Sequence, residues 1–376
     1  MDVRLGRTGN SRLGGRHAFW IGLLASAGLL AAFAFFFLPK DDIGDVLSSA
    51  NLAYVVPSLI FYFLSVWARS YRWRYILRPI IGKPRRSLYP VVLVGYMANN
   101  ILPIRLGEIV RSYYTSLREP ISPAAAFGTV AVERASDVVA LLFFMAIVWV
   151  VLPTSGLMDE LAESVPGGVP VLISISVLPF VAVIGAMLMI SLMAETTILK
   201  FTAILLSPLP EKIRVKALDL AENLIEGLTV LRSPSALLYI LLLSLPVWLL
   251  EAVMAFVIAL GFDISGSFDS NFEFFAAILL FIAVANLAGV VPSVSGGLGP
   301  FEFFGAVSLV AMGVADAEAG AFVLTVHIAL LVPVTIAGGI VLFMDGTSLR
   351  SLFSGARAAP LEGEAPGPTE VSESGP

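Results

Sequence analysis

The chain has 376 residues, 58% of them hydrophobic and only 14% charged, with a mean hydropathy of +0.91 and a formal net charge of −5. No soluble globular domain needs that much apolar surface, so the composition excludes one and points to a polytopic helical membrane protein. Cysteine is absent, which excludes disulfides and thiolate metal sites.

Arg4, Arg7, Arg12 and Arg16 precede the apolar run Phe19–Leu38. The charge pattern resembles a signal peptide. The run is long for one, however, and ends in "FFFLPKDD" with no small-residue cleavage site, so it reads as a retained first span. Five more full-length spans are predicted at Leu52–Ala68, Ala124–Leu152, Val169–Met193, Ala236–Gly261 and Ala319–Met344. Two further zones are apolar but interrupted. Zone one, Leu88–Leu117, breaks around Asn99–Gly107; zone two, Phe272–Val314, breaks around Pro292–Pro300. Each is a re-entrant hairpin or a pair of full spans, and the shortness of Leu88–Leu102 favours re-entry.

The basic residues test this layout. Of 23 Lys and Arg, 21 fall in the N-terminus, 69–86, 105–118, 195–234 and the tail after 345. The alternate loops are acidic, for example Asp41, Asp42 and Asp45, or Asp159, Glu160 and Glu163. Six spans put every basic segment on one side, so both termini are expected in the cytoplasm and the protein in the cytoplasmic (inner) membrane. "YRWRYILRP" (Tyr71–Pro79) reads as an interfacial belt, with attraction of anionic head groups as the alternative. In the connection 196–232, Ile213, Ala217, Leu220, Leu224, Leu228 and Leu231 share a helical face. That predicts a cytoplasmic amphipathic helix, resting on the bundle or interface or else docking a partner. The domain organisation is thus a basic N-terminus over 1–18, a transmembrane domain over 19–344 and a tail over 345–376. The tail is rich in Pro, Gly and Glu and is expected to be disordered.

The two zones resemble each other. Zone one places Asn99, Asn100 and Pro103 before Gly107 and Glu108; zone two places Asn286 and Pro292 before Gly296, Gly297, Gly299 and Glu302. The preceding spans run in opposite directions, which predicts an inverted repeat of the transporter kind. Non-helical backbone at membrane depth must be buried in protein or line a wet cavity. A half-helix starting there presents free N–H groups and a positive dipole end to an anion, with Ser293 and Ser295 available to cap or donate. A packed break without ligand fits the same glycines.

In zone one, Arg105, Glu108 and Arg111 share a face of a helix starting near Leu106. Alone, that reads equally as a solvated face. In "VERASDVV", Glu133, Arg134 and Asp137 sit inside an apolar segment, where charges are costly unless paired or wetted. One buried polar network is expected, with either a structural or a binding role. Glu251 and Glu302 are placed to reach the same cavity, and His327 reads as a packing histidine more readily than as a proton relay.

"RWRYIL", "NNILPIRLGEIVR", "ERASDVV" and "PSVSGGLGPFE" together resemble the lysylphosphatidylglycerol synthase transmembrane-domain family, over roughly Phe19–Met344. The resemblance implies lipid translocation between leaflets. It carries over Arg105, Gly107, Glu108 and Arg111, then Glu133, Arg134 and Asp137, then Pro292, Gly296, Gly297, Gly299 and Glu302. Val294 departs from it, because the family often has proline there. About 30 residues follow Met344, too few for the family's cytosolic aminoacyltransferase domain, so no lysyl-lipid synthesis is expected.

The expectation is therefore an all-α membrane bundle acting as a phospholipid flippase and not as an enzyme. Asn99 and Asn100 join the candidate substrate-binding residues; no catalytic residue, metal or cofactor is assigned. Membrane lipids are the expected partners, a homo-oligomer is left open, and no nucleic acid is expected. The alternatives are a small-solute or ion transporter and a membrane transferase acting on a lipid carrier.

Overall fold

The computed structural model describes residues 11–38, 43–102, 106–151, 168–193, 195–262, 264–290 and 295–358. In chain order the helices are α1 (Ser11–Phe37), α2 (Ile43–Ser49), α3 (Val55–Ile81), α4 (Tyr89–Ile101), α5 (Gly107–Ser116), α6 (Pro123–Val151), α7 (Gly168–Leu192), α8 (Glu195–Leu205), α9 (Glu211–Gly227), α10 (Pro234–Ala259), α11 (Asn271–Leu287), α12 (Pro300–Val310), α13 (Asp316–Met344) and α14 (Leu349–Ala358). No strand occurs among the described residues.

Local chemistry sets several boundaries. The Ser233 and Ser270 hydroxyls accept from the N–H groups of Ala236 and Glu273, capping α10 and α11. Pro234 and Pro300 open α10 and α12, where a missing N–H costs nothing. Gly82, at φ 68°, ends α3.

Among the described residues, three helices are long and apolar enough to cross a bilayer: Leu52–Ile81, Pro234–Ala259 and Asp316–Met344. Helix α6 has spanning length, 29 residues, but carries Glu133, Arg134 and Asp137. The apolar part of α1, Gly22–Phe37, is shorter, as are α11 and α12. Lipid-facing stripes are plain on the long helices. On α13, Ile328, Val332, Ile336, Ile340 and Phe343 are exposed at intervals of three and four, as expected where the solvent is hydrocarbon.

Helix α3 packs against α10, and α4 doubles back against α5 as α11 does against α12. Between these hairpins the packing is crossed: α4 lies on α13, and α11 lies on α6. Close approach of α4 to α13 depends on Gly338, where a Cβ would fall 2.7 Å from the Leu93 carbonyl oxygen. Asn100 Nδ2 also donates across this contact, to Thr335 Oγ1 at 2.9 Å and to the Leu331 carbonyl at 3.2 Å, beside Pro333.

Three expectations change. Helix α3 continues thirteen residues beyond Ala68, and within the supposed belt Arg72 and Trp73 are completely buried. The connection 196–232 is two helices, α8 and α9, separated by a turn, and α9 rests on α6. Part of the tail is helical: Leu349–Ala358 forms an amphipathic helix against α5, with Leu352 buried, and 359–376 lie outside the described residues.

Candidate functional site

The polar core is built on one face of α3. Tyr62, Ser65, Arg69 and Arg72 recur at intervals of three and four and are all buried. Arg69 donates to Glu251 of α10 at 2.5 Å and to Asp137 of α6 at 3.4 Å. Arg72 donates to Asp137 at 2.7 Å and to Ser244 Oγ at 2.6 Å, and lies 3.7 Å from Glu133. From α5, Arg111 forks onto both oxygens of Glu133 at 3.0 and 2.9 Å, while its guanidinium lies 3.8 Å from the centre of the Trp73 ring. Arg134 reaches Glu133 at 2.5 Å, Asp137 at 3.4 Å and Glu108 at 3.7 Å. Trp248 Nε1 donates to Asp137 at 3.1 Å and Ser65 Oγ to Glu251 at 3.2 Å.

Four guanidinium groups therefore face four carboxylates. Such charges are tolerable inside an apolar bundle only because each is paired, most of them through hydrogen bonds. The pairing is nevertheless incomplete: the Nε atoms of Arg69, Arg72, Arg111 and Arg134 make no hydrogen bond. Two of these arginines, Arg69 and Arg134, line an open cavity.

Both interrupted zones contribute to that cavity. Zone one supplies Tyr96, Asn99, Asn100 and Glu108; zone two supplies Asn286, Gly289, Gly296 and Gly297. Tyr62, Trp248, Glu251, Phe301 and His327 complete the polar and aromatic wall. The Tyr96 hydroxyl and Asn99 Oδ1 are buried without a hydrogen-bond partner. Buried polar atoms are seldom left so, and both residues line the cavity. The arrangement can grip an anion between guanidinium groups, satisfy neighbouring oxygens with amides, and offer carboxylates to a cation.

In zone two the break is a run of left-handed glycines: Gly296 at φ 72°, Gly297 at 79° and Gly299 at 98°. At Gly299 a Cβ would also fall 2.6 Å from the Ser26 carbonyl oxygen of α1. Glu302 accepts from the Gly299 N–H at 2.7 Å, closing the first turn of α12. Its other oxygen lies 2.6 Å from His327 Nδ1, and His327 Nε2 lies 3.0 Å from the Gly296 carbonyl oxygen. Phe301 stacks on the imidazole at 4.2 Å. Both ring nitrogens thus face oxygen atoms. Glu302→Ala strips the cap and leaves buried donors unpaired. It should lower stability by about 1–3 kcal/mol, read as a fall in melting temperature in detergent.

The candidate residues divide by location. Asn99, Asn100, Glu108, Arg134, Gly296 and Gly297 line the cavity. Arg111, Glu133 and Asp137 lie behind it in the ion network, and Gly299 and Glu302 shape the turn. Gly107 serves packing, since a Cβ there would meet the Asn99 backbone nitrogen at 2.3 Å. Ser295 opens the turn that contains Gly296. Arg105, Pro292 and Ser293 lie outside the described residues. His327, expected as a packing residue, bonds Glu302 and faces the cavity. Arg69, Tyr62, Tyr96, Trp248 and Asn286 were missing from the candidate site. For Arg69 the usable signal was its spacing from Tyr62, Ser65 and Arg72 along a single face.

An all-helical chain with several membrane-length helices around a charged interior cavity is a multi-pass integral membrane protein. Its residues 19–338 match the model of the lysylphosphatidylglycerol synthase TM region, and the chain belongs to that family. It is 27% identical over 340 residues to Glycosyltransferase AglD of Haloferax volcanii, a match covering 85% of this chain and 53% of that protein. It is 38% identical over 120 residues to a UPF0104 membrane protein of Methanocaldococcus jannaschii, covering 31% of this chain and 35% of that one. A UPF0104 membrane protein of Methanothermobacter thermautotrophicus is 26% identical over 294 residues, 75% of this chain and 81% of its own. The match thus spans about half the length of AglD and about a third of the M. jannaschii protein. No solved structure matches the chain.

Proposed function

We propose that the chain is a lipid flippase, passing a phosphate-bearing head group through the central cavity while the acyl chains stay in the bilayer. The observation that carries this reading is the cavity itself: both interrupted zones line it, together with Arg69 and Arg134 of the ion network. Arg134 and Arg69 grip the phosphate, and Asn99 and Asn286 bond its remaining oxygens. Glu108 and Glu251 either receive a cationic head group or return to their arginines once the cavity is empty.

The finer architecture belongs to the same proposal. Six helices cross the membrane, and the α4–α5 and α11–α12 hairpins re-enter from opposite faces as an inverted repeat. The crossed packing supports this, because α4 on α13 and α11 on α6 are equivalent contacts exchanged between halves. Exposed Arg74 and Arg78 in the last turns of α3, with Lys83, Arg85 and Arg86 just after it, support a cytoplasmic placement for that end and for both termini. A transferase reading rests on the name of the Haloferax relative. Among the described residues no three His, Asp or Glu side chains group to hold a metal ion for such chemistry.

The test is reconstitution into liposomes carrying fluorescent phospholipids, both anionic and zwitterionic. Protein-dependent transfer to the outer leaflet is expected for at least one head group. No transfer across the panel, together with lipid-dependent release of a sugar or phosphate donor product, overturns the flippase reading in favour of the enzyme.

A further inference from the structure

We propose a second lipid site, separate from the central cavity, in which Arg74, Arg78 and Lys83 hold the phosphate of an anionic membrane lipid at the end of α3. These three cations, with Tyr71, Tyr75 and Gly82, line an open pocket. All three are exposed, and among the described residues no carboxylate pairs with any of them. That contrasts with the core, where every arginine has an acidic partner. The pocket therefore carries three uncompensated positive charges and no negative one.

Its position supplies the second argument. Val56, Ile60, Leu64, Trp67 and Tyr71 are exposed on α3 at intervals of four, four, three and four. Arg74 and Arg78 continue the same row by three and four. The row is apolar along the stretch that faces hydrocarbon, turns aromatic at Trp67 and Tyr71, whose rings stack at 5.9 Å, and then turns cationic. That is the order of chain, interface and phosphate along a phospholipid. Gly82, at φ 68°, donates its N–H to the Arg78 carbonyl at 3.0 Å and folds the chain back, so Lys83 joins the arginines. Tyr75 packs edge-on against Tyr239 of α10 at 4.7 Å, fixing the inner wall. Two forked guanidinium groups one turn apart, plus an ammonium, suit phosphate oxygens. This site does not rest on the flippase reading; it requires only that α3 lie in a membrane.

Native mass spectrometry of the detergent-solubilised protein, titrated with phosphatidylglycerol and with phosphatidylcholine, tests it. One phosphatidylglycerol should be retained in preference to phosphatidylcholine. The triple variant Arg74→Gln, Arg78→Gln, Lys83→Gln should bind it on the order of tenfold to 100-fold more weakly, at an unchanged melting temperature. The double variant Arg85→Gln, Arg86→Gln removes exposed charge from the next loop and should leave retention intact. Equal loss in both variants means a diffuse surface charge and overturns the site. Inorganic phosphate competing as well as the lipid means a soluble anion and overturns the lipid assignment. Retention that survives in the triple variant but disappears in Arg134→Gln places the bound lipid in the central cavity instead.

Discussion

Glu133→Gln is expected to cost about 3–5 kcal/mol of folding stability, the largest effect of any single substitution in the polar core. Glu133 is completely buried, and its two oxygens accept from Arg111 at 3.0 and 2.9 Å and from Arg134 at 2.5 Å. Arg72 stands 3.7 Å away. Glutamine keeps the shape, but it removes the negative charge and turns an N–H₂ toward guanidinium groups that need acceptors. The core is left with one uncompensated positive charge in apolar surroundings. Against a total stability of about 5–15 kcal/mol, that is enough to lose much of the folded protein. Glu108→Gln is the comparison: Glu108 is partly exposed and touches Arg134 only at 3.7 Å, so it should cost less than about 1 kcal/mol. Melting of both variants in detergent decides the matter. Equal melting temperatures would show that the network is not the anchor described here.

Arg134→Gln should slow lipid translocation at least tenfold while the protein still folds, a ratio equivalent to about 1.4 kcal/mol of lost stabilisation in transit. Arg134 is the most exposed arginine of the network, its side chain 30% accessible, and it lines the cavity where Arg111 and Arg72 do not. Glu133 keeps Arg111, and Asp137 keeps Arg72, so the variant loses less stability than Glu133→Gln. Arg134→Lys retains the charge without the planar fork and should recover only part of the rate. The readout is the initial rate of fluorescent-lipid transfer per folded protein. A rate equal to that of the parent would remove the cavity from the transport path.

Much of this was legible in the sequence because a bilayer imposes simple rules. The limits of α6, α10 and α13 follow hydropathy to within about three residues. The clustering of Glu133, Arg134 and Asp137 in an apolar helix announced a network, since such charges are not left unpaired. Their partners were harder to read. Arg72 and Asp137 are 65 positions apart, and no local pattern says which guanidinium meets which carboxylate. Arg69 and Arg72 were lost in a basic segment that resembles a membrane-surface belt. The face spacing that turns them inward is visible only once α3 is known to run on to Ile81. The bond between His327 and Glu302 joins two helices across 25 residues and likewise leaves no local trace.

The exchange of contacts between α4 and α13, and between α11 and α6, has a consequence for biosynthesis. Much of the inward surface of α4 is buried by α13, a helix synthesised long after α4 itself. An early ribosomal product ending after α6 holds α4 and α6 with their partner surfaces uncovered. Such a nascent chain needs shelter at the insertion machinery until Met344 has emerged, and separately expressed halves should survive degradation only when made together.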